Sequence, residues 1–179
     1  KKKMNNNPYK FFFLILILTL SFFAAKAEDS KDAIIHTYDF YAGTFDVIDK
    51  EGDEKASMYG FEHNNAILFR DTFIGRFSPI TGGFITDKSS IYLYTGVQVQ
   101  YAIGPLKILP SFAPGYYDSG DGKDLGSALE FKSEIKLAYD VLKNTKVGFS
   151  YSHISNNEWG EGGKNPGVNN KTISFSKIF

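Results

Sequence analysis

The chain has 179 residues, with 20 Lys and Arg against 20 Asp and Glu, no cysteine and three histidines. One domain fits this length; the absence of cysteine excludes disulfide scaffolds, CxxC redox chemistry and cysteine zinc sites, and a formal net charge of zero argues against a nucleic-acid partner. With 42% hydrophobic residues the chain is not disordered by composition, and 17 Phe, 17 Gly and 11 Tyr suit aromatic-rich β structure.

Lys1–Lys3 and Lys10 precede an apolar run over residues 11–25, which ends in Ala25-Lys26-Ala27. A basic start, a short apolar stretch and a small-residue A-x-A pattern together predict a secretory signal peptide over residues 1–27, cleaved after Ala27. The run is shorter than the roughly 18 apolar residues that mark a transmembrane helix. Residues 28–179 then form the mature domain, with 15 basic and 20 acidic residues.

Beyond the leader the pattern is one of alternation with period two, interrupted by Gly, Asn, Asp and Pro. It predicts eight strands, at residues 37–48, 56–63, 66–77, 91–102, 106–117, 129–139, 146–155 and 171–179. The connections at Asn64-Asn65, 103–105 and 140–145 are short, whereas those at 49–55, 78–90, 118–128 and 156–170 are longer. Short turns at one end and long loops at the other are the signature of an outer-membrane β-barrel. The fold class expected is therefore all-β, an eight-stranded antiparallel transmembrane barrel with side chains filling its interior. Closure satisfies the backbone groups that hydrocarbon leaves without partners.

A soluble lipocalin-type barrel is the alternative, and it would place apolar side chains inside. Parity separates the two. In the seventh strand Val147, Phe149 and Tyr151 alternate with Gly148, Ser150 and Ser152; in the fourth, Ile91, Leu93, Val97 and Val99 alternate with Tyr92, Tyr94 and Gly96. The small or polar set suits the interior of a membrane barrel. Both termini then lie in the periplasm, and the seventh strand ends at the cell surface. Pro110 and Pro114 predict bulges or irregular pairing in the fifth strand.

His153-Ile154-Ser155-Asn156 closes the seventh strand. Residues i and i+2 share a face, with Cα atoms about 6.5–7 Å apart, so His153 and Ser155 stand side by side. Their parity is that of Val147 and Phe149, the lipid face. A histidine beside a serine is the arrangement of an activated nucleophile. It can equally be an interfacial histidine reaching headgroups beside a strand-end serine, although ionisable side chains facing the membrane are costly.

These residues, with Asn165-Pro166-Gly167, the stretch Pro110–Tyr117, the block Gly120–Ser127, Glu130-Phe131 and the terminal Phe179, resemble the PagL family of lipid A 3-O-deacylases. The resemblance spans about residues 37–179. It implies an enzyme of the bacterial outer membrane that hydrolyses the ester at the 3-position of lipid A, with lipopolysaccharide as substrate and no cofactor. Carried onto this sequence, Ser155 is the nucleophile, His153 the general base and Asn156 a contributor to the oxyanion hole with a nearby backbone N–H. The family's third member is acidic; the matching position here holds Asn169. An amide there can orient the imidazole but brings no charge. Three readings follow: Asn169 suffices for slow turnover, Glu158 or Glu161 in the same loop supplies the charge, or the barrel is inactive and has a structural, adhesive or lipopolysaccharide-binding role.

Other candidates are weaker. Asp118, Asp121 and Asp124 lack the spacing of a calcium loop and read as a tight surface turn. Lys123, Lys164 and Lys171 are possible contacts for lipopolysaccharide phosphates. His36 and His63 read as interface residues, and Trp159 as an interfacial indole that could line an acyl groove.

Overall fold

The computed structural model describes residues 36–48 and 54–179. The leader over residues 1–27 lies outside the described residues, as does the side chain of Glu161. The strands are β1 (His36–Phe45), β2 (Ala56–Asn65), β3 (Arg70–Thr72), β4 (Gly75–Thr86), β5 (Ile91–Val99), β6 (Tyr101–Ile103), β7 (Leu106–Asp118), β8 (Leu129–Leu142), β9 (Thr145–Ser155) and β10 (Val168–Ile178). All pairings are antiparallel. The eight long strands run β2-β1-β10-β9-β8-β7-β5-β4, and β4 pairs back onto β2, closing the barrel. The two three-residue segments only extend hairpins at the end that carries the C-terminus: β3 on β4, and β6 on β7.

The sidedness follows from the alternation. Phe40, Tyr59, Ile85, Leu93, Phe112, Ile135, Leu137, Phe149, Ile173 and Phe175 are all exposed, while the residues that alternate with them are buried or half-buried. A water-soluble barrel would not present so many large apolar side chains outward; a lipid-facing wall requires it. Tyr92 and Tyr94 face inward, as their parity predicts.

The interior has two levels. Toward the long-loop end Phe45, Met58, Ile80, Phe84, Tyr92, Tyr117, Leu125, Ile154 and Val168 form an apolar cluster. The sequence leads one to expect a small, polar inner set, so this aromatic plug is a departure. Leu125 of the β7–β8 loop is fully buried in it. Deeper in the barrel is an ionic group. Lys136 Nζ reaches Asp39 Oδ2 and Glu62 Oε1 (2.9 Å), and Lys132 Nζ reaches Glu134 Oε2 (3.3 Å) and Glu62 Oε2 (3.5 Å). Tyr94 donates to Glu62 Oε2 at 2.8 Å, and its ring lies 4.1 Å beneath Lys132 Nζ.

Three expectations change. Residues 66–77 do not form the third long strand; β4 starts at Gly75, so the stretch 78–90 is mostly strand rather than loop. Pro79, Gly82 and Gly83 mimic a loop in sequence, but the two glycines serve packing. A Cβ on Gly82 would meet the Tyr94 hydroxyl at 2.8 Å, and one on Gly83 the Leu93 side chain at 2.7 Å. The long connection here therefore lies at the terminal end, and β4 and β5 are joined by a tight turn at Asp87–Ser90. Of the two outcomes expected of the prolines in β7, irregular pairing is found and a bulge is not. The β5–β7 ladder skips the positions opposite Pro114 and stops short of Pro110, and the register on both sides is the same. Missing N–H groups, without extra residues, explain the gaps. Finally, β10 begins at Val168, not 171, which moves Asn169 and Asn170 from loop to strand. Asn170 turns inward, where its Oδ1 accepts from Asp46 N (3.0 Å) and its Nδ2 donates to Ser152 Oγ (3.3 Å).

Two substitutions test this sidedness by reversible denaturant unfolding in lipid vesicles. Lys136→Ala leaves Asp39 and Glu62 without their shared cation and should cost about 3–5 kcal/mol. Phe149→Arg on the outer wall should cost about 2–4 kcal/mol.

Candidate functional site

β9 carries the site by alternation alone. His153 and Ser155 lie on the outer face, and Ser152, Ile154 and Asn156 are buried inside. On one side His153 pairs in register with Asn169 of β10, and on the other with Ser133 of β8. Ser155 pairs with Phe131. His153, Ser155 and Asn169 therefore share the lipid-facing surface at the long-loop end.

Asn169 is the group that meets the imidazole. His153 Nδ1 lies 3.1 Å from Asn169 Oδ1. The same oxygen accepts a 2.8 Å hydrogen bond from the Tyr151 hydroxyl. The amide thus presents its carbonyl oxygen to both the ring and the phenol. Nδ1 then carries the hydrogen, and Nε2 keeps its lone pair, which is the tautomer a general base needs. Gly167 (φ 58°) packs against the other edge of the ring: a Cβ there would stand 2.9 Å from Cε1 and 3.3 Å from Nε2. No hydrogen bond joins His153 to Ser155. Their i, i+2 spacing leaves the gap to be closed by side-chain rotation, as catalytic contacts often tighten only around substrate.

The remaining predicted residues sit differently. Asn156 is fully buried, and its Nδ2 donates to Leu125 O (2.6 Å), Glu130 Oε1 (3.0 Å) and Lys164 O (3.1 Å). Its backbone N–H goes to Asn165 Oδ1 (3.1 Å). The side-chain amide thus points into the barrel, away from the exposed face of Ser155. Glu158 is exposed on a two-residue turn that follows Asn156, in which Asn157 and Glu158 take φ of 56° and 62°; Asn169 occupies the place beside His153 instead.

The surrounding lysines are engaged. Lys123 binds Asp46 (2.7 Å) and Glu54 (2.8 Å), tying the 119–128 loop to the residue that follows β1 and to one that precedes β2. Partial burial pulls its ammonium down, but the two carboxylate bonds outweigh this and its pKa is raised. Lys164 binds Asp124 (2.7 Å) on the surface, and this bond holds the Asp124 carboxyl below its usual range. Asp118 and Asp124 also accept from Gly120 N and Gly126 N, as expected of a surface turn. Lys171 is exposed on the outer row of β10, two residues beyond Asn169. His36 and His63 are bonded to one another (2.8 Å) beneath Tyr38 at the opposite rim.

Sequence reasoning singled out Trp159 as a residue that could line an acyl groove but missed the two rings that join it in a flanking apolar ledge. Phe131 stacks on Phe112 (centroids 5.9 Å), and Trp159 meets Phe131 edge-on (5.3 Å). The ledge adjoins Ser155 through the Phe131 pairing. Its signal was available: Phe131 and Phe112 have outward parity in their strands. Tyr151 was also legible, standing one step before His153 on the same face.

A family model described as lipid A 3-O-deacylase (PagL) matches residues 58–177. No curated protein matches the sequence. In three dimensions the chain is similar to the crystal structure of the outer membrane enzyme PagL, at 16% identity and a TM-score of 0.60, covering 79% of this chain and 98% of that one. It is also similar to a de novo designed transmembrane β-barrel (12% identity, TM-score 0.55, covering 85% and 100%) and to the solution structure of the designed barrel TMB2.3 (13%, 0.52, covering 83% and 97%). At these identities the structures speak to the fold.

Gly167→Ala should place a methyl group against the imidazole and force a left-handed backbone at a cost of about 1–2 kcal/mol. The expected result is a lower unfolding midpoint together with a shifted His153 ring resonance in NMR spectra. An unshifted ring would mean that Gly167 does not set its position.

Proposed function

Because this chain belongs to the lipid A 3-O-deacylase family, we propose that it is an outer-membrane esterase that removes the 3-O-linked acyl chain of lipid A. The observation that carries this reading is the lipid-facing triplet, in which Asn169 Oδ1 holds Nδ1 of His153 beside Ser155. A substrate that already resides in the outer leaflet needs no cavity within the barrel, only a flank on which to lie. The Phe112–Phe131–Trp159 ledge offers an acyl chain such a flank next to the nucleophile. The exposed Lys171 is close enough in sequence and face to meet an anionic headgroup as a point charge.

In the first half-reaction Ser155 Oγ attacks the ester carbonyl carbon while His153 Nε2 takes the hydroxyl proton. The tetrahedral oxyanion is met by a main-chain N–H of the turn after Ser155. Asn157, whose N–H has no bonded partner among the described residues, is the donor we assign; Asn156 contributes by fixing that turn, since its own amide hydrogens are engaged inside. The C–O bond then breaks, and His153 returns its proton to the leaving alkoxide, giving the freed 3-hydroxyl and an acyl-serine. Water attacks the acyl-serine with His153 again as base. The fatty acid leaves, and the proton returns to Ser155.

Asn169 bears on rate more than on geometry. In a serine protease, Asp→Asn costs about 10⁴ because it produces the wrong tautomer. Here Asn169 turns its Oδ1, not its NH₂, to Nδ1, which matches the correct tautomer and leaves the missing negative charge beside the imidazolium as the deficit. A second reading, a barrel without hydrolytic activity, is favoured by that same neutral side chain.

Mass spectrometry of lipid A from cells carrying the protein in their outer membrane separates the two. The enzyme removes one acyl chain, and Ser155→Ala stops the removal; lipid A of unchanged mass in the presence of the unaltered protein would falsify the enzymatic reading. Asn169→Glu should raise hydrolysis, by less than the ~10⁴ factor of the protease case. Tyr151→Phe frees the amide to turn over and should lower kcat with KM little changed, while Tyr151→Phe combined with Asn169→Glu, whose two oxygens are equivalent, should lose much less.

A further inference from the structure

Directly behind Ser155, inside the wall, lie two buried groups that the proposed chemistry leaves unused. Glu130 and Asn156 are both fully buried and are joined by one hydrogen bond, Asn156 Nδ2 to Glu130 Oε1 (3.0 Å). The remaining oxygen of each, Glu130 Oε2 and Asn156 Oδ1, has no partner among the described residues. Buried polar atoms without partners are rare, and each calls for an explanation. Two acceptor oxygens left over on a pair already bonded once is the pattern produced when one hydrogen is missing from the count.

The charges around the carboxyl point the same way. The groups that interact with it electrostatically are Asp124 from the 119–128 loop, Tyr92 from β5 and Tyr117 from β7, none of them a cation. Lys132, the next inward residue of β8, directs its ammonium to Glu134 and Glu62, and Lys164 directs its own to Asp124. An ionised carboxylate fully removed from water with no counter-charge is among the costliest arrangements in a protein.

We propose that Glu130 is a protonated positioning residue, which donates from Oε2 to Asn156 Oδ1 and accepts at Oε1 from Asn156 Nδ2, so that the two side chains form a cyclic acid–amide pair clamping the Ser155–Asn156 corner from inside the barrel. Both orphan oxygens are satisfied by a single hydrogen. The clamp also gathers the loops, since Asn156 Nδ2 bonds Leu125 O of the β7–β8 loop and Lys164 O of the β9–β10 loop. Tyr92 supports it from below by donating to the backbone carbonyl of Glu130 (3.1 Å). Asn156 follows Ser155 directly, so its immobilisation fixes the main chain that carries the nucleophile and the oxyanion donor. A misplacement of about 1 Å at such a site can cost on the order of 10²-fold in rate. The positioning role rests on the esterase reading; the acid–amide pair does not.

Infrared spectroscopy of the folded protein in lipid vesicles at neutral pH tests the pair without reference to activity. The expected spectrum holds a protonated carboxylic-acid carbonyl band that disappears in Glu130→Gln and persists in Ser155→Ala. Absence of that band overturns the proposal, whether or not the protein hydrolyses lipid A. Glu130→Gln also builds an amide–amide pair with the same two hydrogen bonds, so it should fold and keep kcat within a few-fold of the parent. Glu130→Ala should lower kcat by about 10²-fold with KM little changed. A Gln variant as impaired as the Ala variant, or an Ala variant with undiminished kcat, overturns the positioning role.

Discussion

The two-residue period of β9, set in a wall with hydrocarbon on one side and packed protein on the other, is the constraint on which the rest depends. It sends His153 and Ser155 outward and Ile154 and Asn156 inward within four consecutive residues. A slip of one residue would exchange the two sets, burying the candidate nucleophile and driving Asn156 into lipid. What prevents the slip is inside: Ile154 is packed in the apolar plug beside Val168 and Leu125, and Asn156 is bonded to two loop carbonyls and a buried carboxyl. The external chemistry is thus held in register by internal packing.

The two-level interior fits this role. Near the loops the apolar plug makes a close-packed base under the site, where small changes in volume are felt directly. Deeper down, Lys132 and Lys136 alternate with Asp39, Glu62 and Glu134. Such a cluster is weak evidence for net stability, because desolvation offsets attraction, yet disrupting it is expensive. Its value here is geometric. Acids from β1, β2 and β8 share two lysines of β8, which ties opposite sides of the cylinder together. The loop clasps at Lys123 and Lys164 continue that bracing above the plug.

Much of this architecture is legible in the amino-acid sequence. Alternation in Ile91–Val99 and Thr145–Ser155 determines which face meets lipid, and it places His153 and Ser155 together outside. The failures have definite causes. Gly82 and Gly83 resemble a loop because sequence does not reveal that Tyr94 and Leu93 will need their space. Asn169 and Asn170 resemble a turn because Asn usually interrupts strands, whereas here each side chain has a specific long-range partner. The inward direction of the Asn156 amide is not legible at all. Its acceptors, Leu125, Glu130 and Lys164, are scattered through the chain and meet only when two loops converge on β8.

For the proposed hydrolysis the neutral side chain at position 169 carries the most weight, and its setting decides how much. On an exposed surface, water would stabilise a transient imidazolium and the loss of a neighbouring carboxylate would be modest. This imidazole lies at the lipid boundary, where the effective dielectric is lower and a nearby charge counts for more. Asn169 therefore supplies orientation where an acid would supply both orientation and charge. The Tyr151 hydroxyl donates to the same Oδ1 and adds a second anchor to that side chain. In the proposed esterase such a site keeps its alignment and forgoes part of its electrostatic assistance. The rate of the proposed hydrolysis then depends strongly on how rigidly the remaining parts are held, and on that reading the packing beneath Ser155 matters as much as the residues beside it.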